Sequence, residues 1–190
     1  IYDEAGNNAA CEVAVDEVID ITPPHIVCPQ IAQSNDAGEC IAAILMPLPD
    51  VSDNCDLLPN TLVHDYPLTL TIYDASGFYP VGTTVVTWSV QDTYGNGSTC
   101  ETVVVITDDE APTIVCPNDI SQSNDLGVCE ALVTVPAPIT DDNCEVDFFV
   151  NDYNGTSDAS DTYPVGTTNV TWTVTDIHGN TADCMMDLSL

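Results

Sequence analysis

Ile26–Pro29 reads IVCP, and the same four residues return at Ile114–Pro117. From there the chain copies itself motif by motif. QSNDAGEC (Gln33–Cys40) comes back as QSNDLGVC (Gln122–Cys129), and DNC ends at Cys55 and again at Cys144. YPVGTT starts at Tyr79 and at Tyr163, each time followed by VTW, and DTYGNGSTC (Asp92–Cys100) matches DIHGNTADC (Asp176–Cys184). DEAGNNAAC (Asp3–Cys11) is a third copy of that last motif. A fixed internal period signals a stacked repeat architecture, in which each unit is one small fold. The organisation read here is residues 1–20 as the closing strands of one repeat, 21–110 as a full repeat and 111–190 as another. Residue 1 falls inside the pattern, so the chain reads as a segment of something longer.

Each repeat reads as all-β. In TVVTWSVQD and TNVTWTVTD, Val86, Trp88, Val90 and Val170, Trp172, Val174 take one face while polar residues take the other, the alternation of a half-buried strand. Further short strands are predicted in CIAAILMP, CEALVTVP and CETVVVITD. NDAG and NDLG are turn signals, and the D-x-x-G-N segments predict hairpin tips in which Asp caps its own turn and Gly-Asn turn left-handed. Several short strands in about 85 to 90 residues predict a two-sheet Greek-key sandwich. YPVGTT lies 84 residues from its copy but DNC lies 89, so the first repeat carries extra residues in its middle, where loops absorb length.

The charge is one-sided. The 190 residues hold 31 acids and no lysine or arginine, a formal net charge of −31. Every carboxylate must then be solvated, hydrogen-bonded or matched by an external cation, and the stored repulsion opposes compaction. Nucleic acid and anionic membrane surfaces are excluded as partners, since both are held through basic side chains. With 44% hydrophobic residues the chain folds rather than staying disordered. None of its apolar runs reaches the length of a membrane span.

The ordered set IVCP, GxC, DNC, YPVGTTxVTW, DxxGN and C, present twice over nearly the whole chain, resembles the HYR (hyalin repeat) domain. That resemblance implies immunoglobulin-like sandwiches in tandem, end to end, in extracellular adhesion proteins and surface coats. Such proteins include giant bacterial surface proteins, gliding-motility adhesins among them, and the hyalin of egg coats. The implied partners are neighbouring repeats, other copies in a fibre, or surface polysaccharide, and no enzymatic activity is implied. His25, His64 and His178 are far apart, and none stands beside a Ser or Cys nucleophile in a recognisable motif.

Nine cysteines in such a chain read as a disulfide framework in an oxidising compartment. Four per repeat allow three connectivities. In a Greek-key sandwich the DNC loop and the Cys after GN share a pole, which favours Cys55 with Cys100 and Cys144 with Cys184. Cys28 is then left with Cys40, and Cys116 with Cys129. Cys11 is the odd one, unpaired in this segment.

The acids group where repeats meet. If the last strand of one repeat runs into the next through TDDEAPTI, then Asp108, Asp109, Glu110, Asp141, Asp142, Asn143 and Asp176 converge. Hard oxygen ligands in such numbers suit Ca²⁺. Asp20, Asp53, Asn54 and Asp92 form the corresponding first junction. It is expected to be the weaker, because Ile21, Thr22 and Ser52 stand where Asp109, Glu110 and Asp141 would be. Solvated loop acids, or adaptation to high salt, would account for the same composition. A ligand-binding groove would draw on Tyr73, Phe78, Phe149 or Tyr153, which lie where the repeats differ most. Asn96, Asn154 and Asn169 begin glycosylation sequons.

Overall fold

The computed structural model describes residues 4–6, 19–69 and 71–190, and the regular elements among them are all strands. The first repeat contributes β1 (His25–Val27), β2 (Ile31–Ser34), β3 (Ile41–Ile44) and β4 (Asp50–Ser52). It continues with β5 (Val63–His64), β6 (Gly77–Pro80), β7 (Gly82–Gln91) and β8 (Gly97–Thr107). The second repeats the list as β9 (Thr113–Val115), β10 (Ile120–Ser121), β11 (Glu130–Val133) and β12 (Ile139–Asp141), followed by β13 (Val146–Asn151), β14 (Asp161–Pro164), β15 (Thr167–Asp176) and β16 (Thr181–Ser189). The closing strands assigned to a preceding repeat lie mostly outside the described residues, as does Cys11.

Each repeat is a two-layer sandwich. One layer is a four-stranded sheet in the order β2-β8-β7-β5, matched by β10-β16-β15-β13. Short antiparallel ladders, β3–β6 with β1–β4 and β11–β14 with β9–β12, make the opposite side. The first strand of each repeat is split. Its leading half pairs antiparallel with β4, and its trailing half, after Cys28-Pro29, pairs parallel with β8 so that Ile31 lies opposite Val104. A proline has no N–H for a ladder, so the chain changes partner there.

The predicted alternation fills the space between the layers. Val86, Trp88, Val104 and Ile106 pack with Ala42, Ile44, Met46 and Tyr79, and Val170, Trp172, Met186 and Leu188 do the same with Val133, Val135 and Tyr163. Both tryptophans are fully buried, and burying a large apolar side chain contributes about 1.5–3 kcal/mol. The aromatics of the variable middle also belong to this packing. Tyr66 stacks on Tyr79 at 4.3 Å and Tyr153 on Tyr163 at 4.1 Å, while His64 and Phe149 meet the tryptophans edge-on. Of the four aromatics proposed for a groove, Tyr153 and Phe149 are thus packing residues, and Tyr73 and Phe78 stay exposed.

The disulfides differ from expectation. Cys28 pairs with Cys100 and Cys116 with Cys184, closing separations of 72 and 68 residues, and Cys40 pairs with Cys144 of the other repeat. Cys55 and Cys129 are free. Sharing a pole was too coarse a criterion, because strand parity decides. Cys100 lies in step with Thr102, Val104 and Ile106, so its sulfur points between the layers, where Cys28 arrives from β1. Loops of this length suggest on the order of 4 kcal/mol per bridge in the chain-entropy account.

Tyr79 and Tyr163 donate their hydroxyls to the carbonyls of Ala75 and Ala159, at 2.7 and 2.6 Å. Burial, helped by neighbouring tyrosines and acids, pushes both phenols up to about 12. Because the folded state holds the proton more tightly, this contribution is complete below the ordinary phenol value near 10 and is lost between about 10 and 12. An alkaline titration followed by phenolate absorbance should show these two ionising last, together with unfolding. Their ionisation with the exposed tyrosines would contradict the packing.

Candidate cation site at the repeat junction

The hairpin tips are built from the Asp outward. Asp176 accepts the amides of His178 and Asn180 through Oδ1, both at 2.8 Å, and the Asn180 amide group through Oδ2 at 2.8 Å. Asp92 does the same with Tyr94 and Asn96, at 2.9, 2.8 and 2.6 Å. Gly95 and Gly179 supply the left-handed step, with φ of 88° and 94°. The asparagines that follow do not share it: their side chains turn inward to the Asp and reach the incoming linker. Asn180 Nδ2 donates to the Asp108 carbonyl at 3.3 Å, and Asn96 Nδ2 to that of Asp20 at 3.1 Å.

The linker therefore lands on the tip, and the DNC loop closes the third side. In that loop the Asp142 Oδ2 accepts the amides of Cys144 and Glu145 at 2.9 and 3.0 Å, and Asp53 Oδ2 accepts that of Cys55 at 2.9 Å. One carboxylate oxygen from each of Asp108, Asp142 and Asp176 lies within 4.8 Å of the others, and the same holds for Asp20, Asp53 and Asp92. Asp142 Oδ1 and Asp53 Oδ1 are buried with no hydrogen-bond partner. In this protein no lysine or arginine exists to meet them.

The structure thus brings together three of the expected acids at each junction, with Asn143 and Asn54 beside them. Asn143 Nδ2 donates to Asp108 Oδ1 at 3.4 Å and Asn54 Nδ2 to Asp20 Oδ2 at 3.2 Å. Asp109, Glu110 and Asp141 do not join. Asp109 accepts the Ser34 hydroxyl at 2.8 Å and Glu110 takes the Gly38 amide on both oxygens, at 3.0 and 2.9 Å, so both bind the first repeat instead. Asp141 faces outward from β12. The substitutions that made the first junction look weaker, Ile21, Thr22 and Ser52, fall at these same outlying positions. Each junction has its own carboxylate trio, with Asp108 buried where Asp20 is half-buried, and the tips differ as well. His178 Nδ1 lies 3.0 Å from Asp108 Oδ2, whereas the first repeat has Tyr94 there.

Electrostatics follow from the same contacts. Burial raises Asp92 and Asp176, but the side-chain and backbone hydrogen bonds of Asn96 and Asn180, with the amides of Tyr94 and His178, outweigh it and hold both below the ordinary carboxyl range. At Asp20 the Thr22 amide leads in the same direction.

Two copies of one sequence pattern, 19–106 and 107–190, match the HYR domain family. The chain belongs to that family. It is 30% identical over 194 residues to hyalin of Lytechinus variegatus and 31% identical over 190 residues to hyalin of Strongylocentrotus purpuratus. It covers 34% and 15% of their lengths, and the matches take in 99% and 95% of this chain. Among solved structures, human protocadherin-24 EC1-2 aligns with 88% of this chain and 98% of that one at a TM-score of 0.42 and 15% identity. Drosophila N-cadherin EC1-4 aligns with 88% and 49% at 0.41 and 10%. These HYR repeats form an extracellular, adhesion-type module and not an enzyme. Among the described residues no helix is long and apolar enough to cross a membrane.

The tips give a signed prediction. Asp92 and Asp176 titrate lower folded than unfolded, so their contribution is present above the ordinary carboxyl value near 4 and is lost as pH falls through it. Thermal unfolding should be flat above about pH 5 and weaken below about pH 4. In the Asp92→Asn, Asp176→Asn double variant the acid-side slope should be visibly shallower, and an unchanged slope would count against the tips as its source.

Proposed function

We propose that the chain is a length of extracellular stalk or surface fibre, in which HYR repeats stand end to end and Ca²⁺ stiffens each junction. What carries the reading is the repeated carboxylate trio. In each, one acid comes from the linker, one from the DNC loop and one from the hairpin tip, so a cation shared by the three would tie linker, loop and tip together. Asp142 Oδ1 and Asp53 Oδ1 are the buried oxygens that most lack a counter-charge. A hard cation with flexible coordination and six to eight oxygen ligands is the one such a set serves best. Asp108, Asp142 and Asp176 would hold it at the second junction, and Asp20, Asp53 and Asp92 at the first. The three trio acids would then bear on the rigidity of the rod, while Asp109 and Glu110 dock the linker on the preceding repeat.

Thermal unfolding with EDTA and then with Ca²⁺ at fixed ionic strength tests this. At about a hundred times the dissociation constant a bound ion adds about 2.7 kcal/mol, on the order of 10 °C for a domain of this size. The rise should vanish at the second junction in Asp142→Asn and persist in Asp109→Asn. A stability that follows salt but ignores Ca²⁺ would mean the acids serve solubility, as in a high-salt habitat.

A further inference from the structure

We propose that Cys55 and Cys129 are the two halves of an inter-repeat disulfide, each made to pair with the complementary cysteine of another HYR repeat. The template is present in the same molecule. Cys40 closes the NDAGEC turn of the first repeat and is bonded to Cys144 in the DNC loop of the second. Cys129 occupies the place of Cys40, and Cys55 the place of Cys144. Both are exposed and free. The connectivity is therefore a chain of links, from the GxC cysteine of one repeat to the DNC cysteine of the next, and the second and third cysteines of a repeat do not bond within it.

The surroundings of Cys129 repeat the docked turn with its partner removed. Around Cys40 the Gly38 amide donates to Glu110 and the Glu39 carbonyl accepts Asn143 Nδ2 at 3.3 Å. Around Cys129, Val128 and the fully exposed Leu126 present apolar side chains to solvent where the first repeat has Glu39 and Ala37. Gly127 carries the same left-handed step as Gly38, with φ of 86° against 76°, so the turn is already in its docked shape. The occupant that fits is an Asn-Cys loop with an exposed apolar linker residue beside it. This chain's own Asn54-Cys55 loop, with Ile21 exposed in the linker, has that form. The proposal rests on the end-to-end reading and adds a covalent clamp to it.

The bond forms when one thiolate displaces a thiol from a mixed disulfide on the other. Overall, two protein thiols become one disulfide while one small-molecule disulfide is reduced to two thiols.

The test oxidises the 190-residue chain, carrying Cys11→Ser, with the neutral 2-hydroxyethyl disulfide in mildly alkaline buffer containing EDTA. Products are resolved on non-reducing gels and by peptide mass mapping. Docking raises the local thiol concentration, so Cys55–Cys129 bridges between copies should outnumber the symmetric bridges by about tenfold and give a ladder of oligomers. Cys55→Ser and Cys129→Ser each remove the ladder, and mixing the two variants restores a single dimer. A statistical mixture of heterologous and symmetric bridges, or monomers capped by mercaptoethanol alone, would overturn the proposal. Neither result bears on the Ca²⁺ response of Asp142, so the two readings fail separately.

Discussion

Everything at the junction is shaped by a missing partner: no lysine or arginine side chain exists in the sequence, and the acids are held by N–H and O–H groups. Asp92 and Asp176 are each surrounded by three donors from their own five-residue tip. Asp65 and Asp152 accept the amides of Thr87 and Thr171 at 2.8 Å. The backbone supplies what basic side chains supply elsewhere, and it does so at fixed geometry. That is why carboxylates converge at the same place twice, with similar contacts, although the repeats differ in length and in surface residues.

Much of this was legible in the sequence because it depends on local chemistry. Alternation in TVVTWSVQD fixed the buried face, and the D-x-x-G-N spacing fixed a tip capped by its own Asp. The choice among neighbouring acids was not legible. Asp108, Asp109 and Glu110 are consecutive, and only the three-dimensional turn of the linker sends the first inward and the other two back onto β2 and its turn. The cysteine connectivity failed for a related reason. Position along the sandwich axis can be guessed from topology, but the bonded pair depends on strand parity and on whether a loop faces its own repeat or the neighbouring one.

The variable middle shows how one scaffold tolerates change. Copies lie 89 residues apart at DNC, 87 at the paired Tyr66 and Tyr153, and 84 at Tyr79 and Tyr163. The extra residues of the first repeat therefore fall on both sides of a stacked tyrosine pair that is kept in both. Because the stack and the hydroxyl bonds to Phe78 and Thr162 survive, at 2.7 and 2.8 Å, the insertions are confined to the surface.

The disulfides of β1 and β9 also redraw the path along which the protein would carry tension. Force entering at Cys28 crosses at once to Cys100, runs along β8 and the linker, and crosses again from Cys116 to Cys184. The 72 and 68 residues between the bridged positions are bypassed. Each, if released, could pay out more than ~200 Å of chain at about 3.3 Å per residue. With the bridges intact that length is locked away, and because the Cys40–Cys144 bridge also spans the run joining the two sandwiches, the segment would resist stretching as a nearly inextensible tether.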